Sequence, residues 1–148
     1  QGKAVGGGVG LASSVDYCYA TKHAAVKLSE LAVGIGPFVV GPACERKLGL
    51  AGMSDLAINA TEWRSAEWAF QRGLYNDIFE DAAAMDEAIE ALASRLLTKS
   101  VPAMRGLKKV FWEGTEHWDQ LLAERAAISG ELILSKEAKD AIGAFKRR

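Results

Sequence analysis

Near the start of the chain stands Gly2-Lys3-Ala4-Val5-Gly6-Gly7-Gly8-Val9-Gly10-Leu11-Ala12, the stretch that most constrains its fold. A glycine held in a regular element costs about 0.5–1 kcal/mol relative to alanine. Three in a row after the strand-like Lys3–Val5 therefore mark a turn without room for side chains, or a backbone that something else must approach. A strand, a glycine turn and a short helix would aim the unpaired first N–H groups of that helix at a negative oxygen. With no side chain at Gly7, such an oxygen can reach hydrogen-bonding distance. Taken alone, the run suits a close-packed turn equally well. It is not a P-loop, because no Gly-Lys-Ser/Thr follows, and it fits the dinucleotide fingerprint G-x-G-x-x-G poorly.

The rest of the composition narrows the class. With 148 residues, 49% of them hydrophobic and 25% charged, the chain can bury one ordinary core. A net charge of −1 offers no basic surface for nucleic acid or an anionic membrane. No apolar run approaches the roughly 18–20 residues of a membrane span. Cys18 and Cys44 make neither a disulfide framework nor a metal-ligand spacing and are expected as free thiols in a reducing, cytoplasmic setting. His23 and His117 lack ligand neighbours, so no metal site is expected. The first residue is Gln1, and the chain is expected to be one part of a longer protein.

The pattern of apolar residues predicts an α/β segment over 1–80 and a helical segment over 81–148. Strands are expected at Lys3–Val5, Asp16–Ala20, Ala24–Ser29 and Leu74–Phe79. Helices are expected over Gly8–Val15, from Pro37 to Leu48 with Gly49 as the stop, over Met53–Ala60 and over Ser65–Arg72. Beyond residue 80, Met85, Ala88, Ile89, Leu92 and Leu96 form one helical stripe. Further helices are expected over Ala103–Trp112, over Glu116–Leu134 with Thr115 as N-cap, and after Ser135. Trp63, Trp68, Trp112 and Trp118 suit core or subunit packing.

A second window is Ser29-Glu30-Leu31-Ala32-Val33-Gly34-Ile35-Gly36-Pro37, where Glu30 is the only charge between Leu28 and Cys44. Apolar surroundings disfavour the ionised form of a carboxyl and move it toward the range useful for proton transfer. A solvated glutamate at a strand end is the plainer reading of that window alone.

Together the two windows resemble the crotonase family of enoyl-CoA hydratases and isomerases. Its pattern runs G-x-A-x-G-G-G-x-x-L-A, then an aspartate before a strand, then P-E-x-x-x-G-x-x-P, and a helix ending in R-x-x-G. Here these read GKAVGGGVGLA, Asp16, SELAVGIGP and ERKLG, followed by the similar SAEWAFQRGLYNDIF and the closing AFKRR. The resemblance implies the later portion of a crotonase-like ββα spiral core followed by a C-terminal helical segment, with the N-terminal half of the same protein missing. It implies an acyl-CoA substrate, with coenzyme A as part of that substrate and no separate cofactor. It also implies a thioester oxygen held by backbone N–H groups, one of them from Gly7, with Gly6 and Gly8 beside it. Glu30 falls on the family's second catalytic glutamate. Phe145 falls where an acyl pocket is lined, and Arg148 where coenzyme A phosphates are met. A homotrimer or hexamer built through the C-terminal helices is implied as well.

Two departures qualify these expectations. The family's first catalytic glutamate falls on Gly10, within the substrate-binding glycine stretch, which shifts weight toward one-carboxylate chemistry such as an allylic double-bond shift. Ser29 replaces the proline before Glu30. A non-catalytic CoA-binding or scaffold protein of the same fold is the alternative.

Overall fold

The computed structural model describes residues 1–145. The chain runs β1 (Lys3–Val5), α1 (Gly7–Ser13), β2 (Tyr19–Thr21), β3 (Ala25–Lys27), a 3₁₀ turn over Glu30–Val33, α2 (Gly41–Ile58), β4 (Arg64–Ser65), α3 (Ala66–Gln71) and β5 (Asp77–Phe79). Four helices complete it: α4 (Ala82–Leu97), α5 (Val101–Phe111), α6 (Trp118–Leu132) and α7 (Lys136–Phe145).

Two small sheets share one core. In the first, β3 lies centrally, parallel to β1 and antiparallel to β4, with Val5 opposite Lys27 and Val26 opposite Arg64. In the second, β2 and β5 pair in parallel, with Ala20 opposite Ile78. The pleat sends alternate side chains to opposite faces, so Val26 and Leu28 are fully buried while Lys27 between them is not. Val9 of α1, Cys44, Leu48 and Leu56 of α2, and Ala66 and Ala69 of α3 close over that inner face.

Several elements differ from the sequence expectations. Asp16 starts no strand; its carboxylate instead accepts hydrogen bonds from Lys108 Nζ (2.5 Å) and Trp112 Nε1 (2.6 Å) of the α5 region. The helix expected from Pro37 begins at Gly41, and Pro42 occupies its first turn. Gly49 breaks the helical spiral as expected: its φ of 69° and ψ of 166° are non-helical, and a second helical stretch runs on beyond it to Ile58. Glycine takes that conformation without the Cβ clash that other residues suffer. Thr115 does not cap α6: its hydroxyl donates back to the Trp112 carbonyl at 2.7 Å, and His117 holds the N-cap position.

The helices after residue 80 do not form a detached unit. α4 packs on β2 and β5, and α7 returns to the 3₁₀ turn. There Ala138 is fully buried, and a methyl group on Gly34 would stand only 2.7 Å from the Ala138 Cα. Gly34, at φ 79°, thus serves both as the left-handed end of the turn and as the seat of α7. By contrast α5 and α6 bury no residue fully, and Leu107, Val110, Phe111 and Ile128 remain exposed.

Candidate active site

The glycine run is resolved into distinct roles by its local geometry. The Gly6 N–H donates to the Lys27 carbonyl at 3.0 Å, tying the end of β1 to the end of β3. Gly6 then turns the chain at φ 52° and ψ −113°, and α1 begins at Gly7. The Gly6 carbonyl receives the N–H groups of Val9 and Gly10 at 2.9 and 3.1 Å. Gly7 is the first residue of α1, where no earlier helical turn can offer its N–H a carbonyl. It is also exposed, and a methyl group there would meet nothing within 4 Å. Gly8 follows on the face toward Ala4, whose Cβ would lie 3.5 Å from an added methyl.

Glu30 stands against this turn. A methyl group on Gly6 would fall 2.8 Å from Glu30 Oε1, so the glycine makes room for the carboxylate. The 3₁₀ turn holds Glu30 from the other side, with the Ile35 N–H on the Glu30 carbonyl at 3.1 Å. Its Oε2 is buried with no hydrogen-bond partner among the described residues. Burial pushes the Glu30 carboxyl above the usual carboxylate range, against a smaller opposing pull from the backbone N–H groups of Glu30 and Ser29. A carboxyl shifted upward in this way holds a proton more readily than an exposed one, which favours a role in proton transfer.

Gly10 lies elsewhere. It is buried inside α1, and a methyl group there would meet Val40 Cγ1 at 2.6 Å. The residue before α2 therefore fills the space that any side chain at position 10 would need. Phe145 closes α7, and Arg148 lies outside the described residues. Among the described residues, no three His, Cys, Asp or Glu side chains converge as metal ligands. No described helix is long and apolar enough to cross a membrane.

Three features escaped the sequence reading: the 3₁₀ turn that carries Glu30, the Gly6–Glu30 contact, and the plug formed by Val40. Only the first had a local signal, the glycine at position 34 that ends the turn.

Known proteins resemble this chain. The sequence pattern of the enoyl-CoA hydratase/isomerase family matches residues 1–148. This chain belongs to that family. It is 29% identical over 146 residues to the short-chain-enoyl-CoA hydratase of Clostridium acetobutylicum, covering 98% of this chain and 56% of that enzyme. It is 32% identical over 112 residues to the mitochondrial Delta(3,5)-Delta(2,4)-dienoyl-CoA isomerase of Mus musculus, covering 73% of this chain and 33% of that one. The fold superposes on the crystal structure of an enoyl-CoA hydratase from Mycobacterium avium with a TM-score of 0.89 at 24% identity, over 99% of this chain and 57% of that one. The crotonase fold is thus established, and the chain spans little more than half the length of the hydratases it matches.

Proposed function

We propose that this crotonase-family chain carries part of the reaction centre of an acyl-CoA-transforming enzyme. In this reading the exposed Gly7 N–H, at the positive end of α1, receives a thioester oxygen as negative charge builds there. Glu30 moves the proton at the neighbouring carbon. The observation that carries the proposal is the Gly6–Glu30 contact. Through it, a carboxylate with one oxygen unpartnered among the described residues lies one residue from an amide that has no acceptor within its helix.

The enolate chemistry follows from that juxtaposition. A proton α to a thioester is removed only if the developing oxyanion is stabilised, and a fixed amide does this without reorganising at the moment of reaction. A carboxyl raised by burial is a competent base and, once protonated, a competent acid. One such group can take a proton from one carbon and return it to another, which shifts a double bond along the chain. Val40 supports the one-carboxylate form, since it occupies the space of a second acidic group at position 10. The second amide of the oxyanion site is assigned to the N-terminal part of the full-length protein.

The test uses the full-length protein with 2-enoyl-CoA and 3-enoyl-CoA, native and Glu30→Gln. Turnover of the 3-enoyl thioester that falls about 10²–10⁴-fold in Glu30→Gln supports the isomerase form. Glu30-dependent hydration of the 2-enoyl thioester identifies a one-carboxylate hydratase instead. Binding without turnover of either would overturn the enzymatic reading in favour of a CoA-binding protein.

A further inference from the structure

Beside the Glu30 turn lies a cavity of about 740 Å³ whose walls include Val5, Lys27, Ser29, Val33, Thr61 and, across from the sheet, Ala141 of α7. Lys27 is the one charged residue among its described walls. The strand register explains its presence. Pairing of Val5 with Lys27 and of Lys3 with Ala25 puts Lys3, Val5 and Lys27 on the face opposite the core. Trp63, just before β4, closes that face, and both ammonium groups gather on its ring, Lys27 Nζ at 4.5 Å and Lys3 Nζ at 4.8 Å from the centroid.

Two like charges sharing one indole repel each other, and the ring's negative face offsets only part of that repulsion. Among the described residues no carboxylate forms an ion pair with either lysine. The Lys27 wall of the cavity is therefore a place of positive potential that an anion would relieve. The Lys27 carbonyl accepts the Gly6 N–H at 3.0 Å, so the Lys27 backbone adjoins the Gly6–Glu30 contact while its side chain reaches Trp63. The phosphates of coenzyme A are separated from the thioester by the whole pantetheine arm. An anion held by a residue whose backbone adjoins the Gly6–Glu30 contact is therefore better matched to the acyl group than to those phosphates.

We propose that the cavity accepts an acyl chain ending in a carboxylate, with Lys27 as its counter-ion and Trp63 fixing the ammonium in place. This rests on the acyl-CoA reading above and adds the class of acyl group to it. Lys27 acts as a specificity residue, since the proton chemistry belongs to Glu30.

The experiment compares two 2-enoyl- and two 3-enoyl-CoA thioesters of equal chain length, ending in carboxylate or in methyl, on the full-length protein. Calorimetric binding of the corresponding saturated thioesters and of free coenzyme A runs in parallel. The expected result is a preference of about tenfold or more for the carboxylate form in kcat/KM and in affinity, as for a hydrogen bond to a charged group. Lys27→Gln should bring both ratios to about one, and Lys27→Arg should keep them. Equal treatment of the two chains by the native protein, or a ratio unmoved in Lys27→Gln, overturns the proposal. So does a Lys27→Gln loss shared equally by both thioesters and free coenzyme A, which would assign Lys27 to the phosphates. A protein that turns over neither substrate but binds the carboxylate form in a Lys27-dependent way refutes the enzymatic reading and leaves this one standing.

Discussion

Glu30 Oε1 lies 2.8 Å from the point where a Cβ on Gly6 would stand, so the carboxylate occupies the volume that the missing side chain vacates. Gly6 is buried at a positive φ, while its neighbour Gly7 is exposed and unobstructed. Adjacent glycines should therefore respond to substitution in opposite ways. Gly6→Ala meets both the backbone penalty, about 1–3 kcal/mol for a strained conformation, and the Glu30 carboxylate. Its urea midpoint should fall clearly. Gly7→Leu should leave the midpoint close to native and cut turnover by roughly 10²–10³, the range expected when one oxyanion donor is lost. Native-like turnover in Gly7→Leu would remove Gly7 from the proposed site.

Glu30 links activity to stability through pH. Burial raises its carboxyl above the ordinary value, so folding favours the neutral form. That contribution is complete below the unfolded-state value and is lost as pH rises through the folded-state value. At neutral pH the ionised group is a liability that Glu30→Gln removes. The variant should melt higher than native at neutral pH, and the gap should close at about pH 4, where an unfolded glutamate takes up its proton. Thermal scans across that range check it; a gap that widens toward acid would contradict the assignment.

Gly10 and Val40 form a pair that a double-mutant cycle can expose. Gly10→Glu drives its Cβ into Val40 Cγ1, and overpacking of this kind costs about 1–3 kcal/mol. Val40→Ala opens space there and should recover part of the loss. Additive effects of the two changes in denaturant titrations would show that Val40 is not what excludes a side chain at position 10.

Asp16 ties the segment before β2 to α5 through Lys108 and Trp112. Its burial alone would raise the carboxyl; the hydrogen bonds from Lys108 and Trp112 and the Lys108 and Arg46 charges outweigh this and hold it below the usual range. That stabilisation is present above the unfolded-state value and is lost as pH falls through the folded-state one. The groups are largely exposed, so Asp16→Asn should cost no more than about 1 kcal/mol. The loss should shrink in high salt. Melting curves at two ionic strengths measure it.

Gly34 gives a separate handle on α7. Gly34→Ala adds a methyl 2.7 Å from the Ala138 backbone and strains a positive φ. Limited proteolysis should then cut within α7 faster than in the native protein while α2 stays protected.

The sequence alone determined the local events whose causes are local. The period-2 run Val26-Lys27-Leu28 and the helix starts at Ser65 and Ser135 were legible because neighbours along the chain create them. The family resemblance could also be read there, since it lives in the order of glycines, glutamate and proline. The break at Gly49 was legible as a helix stop, but the late start of α2 was not, because a proline permits several backbone paths and packing selects one. Only the tertiary structure decided that Glu30 fills the gap at Gly6, that Val40 closes position 10, and that Lys3 and Lys27 meet over Trp63. Each joins residues from separate elements, and distance along a chain carries no information about distance in space until the sheet and helices have packed.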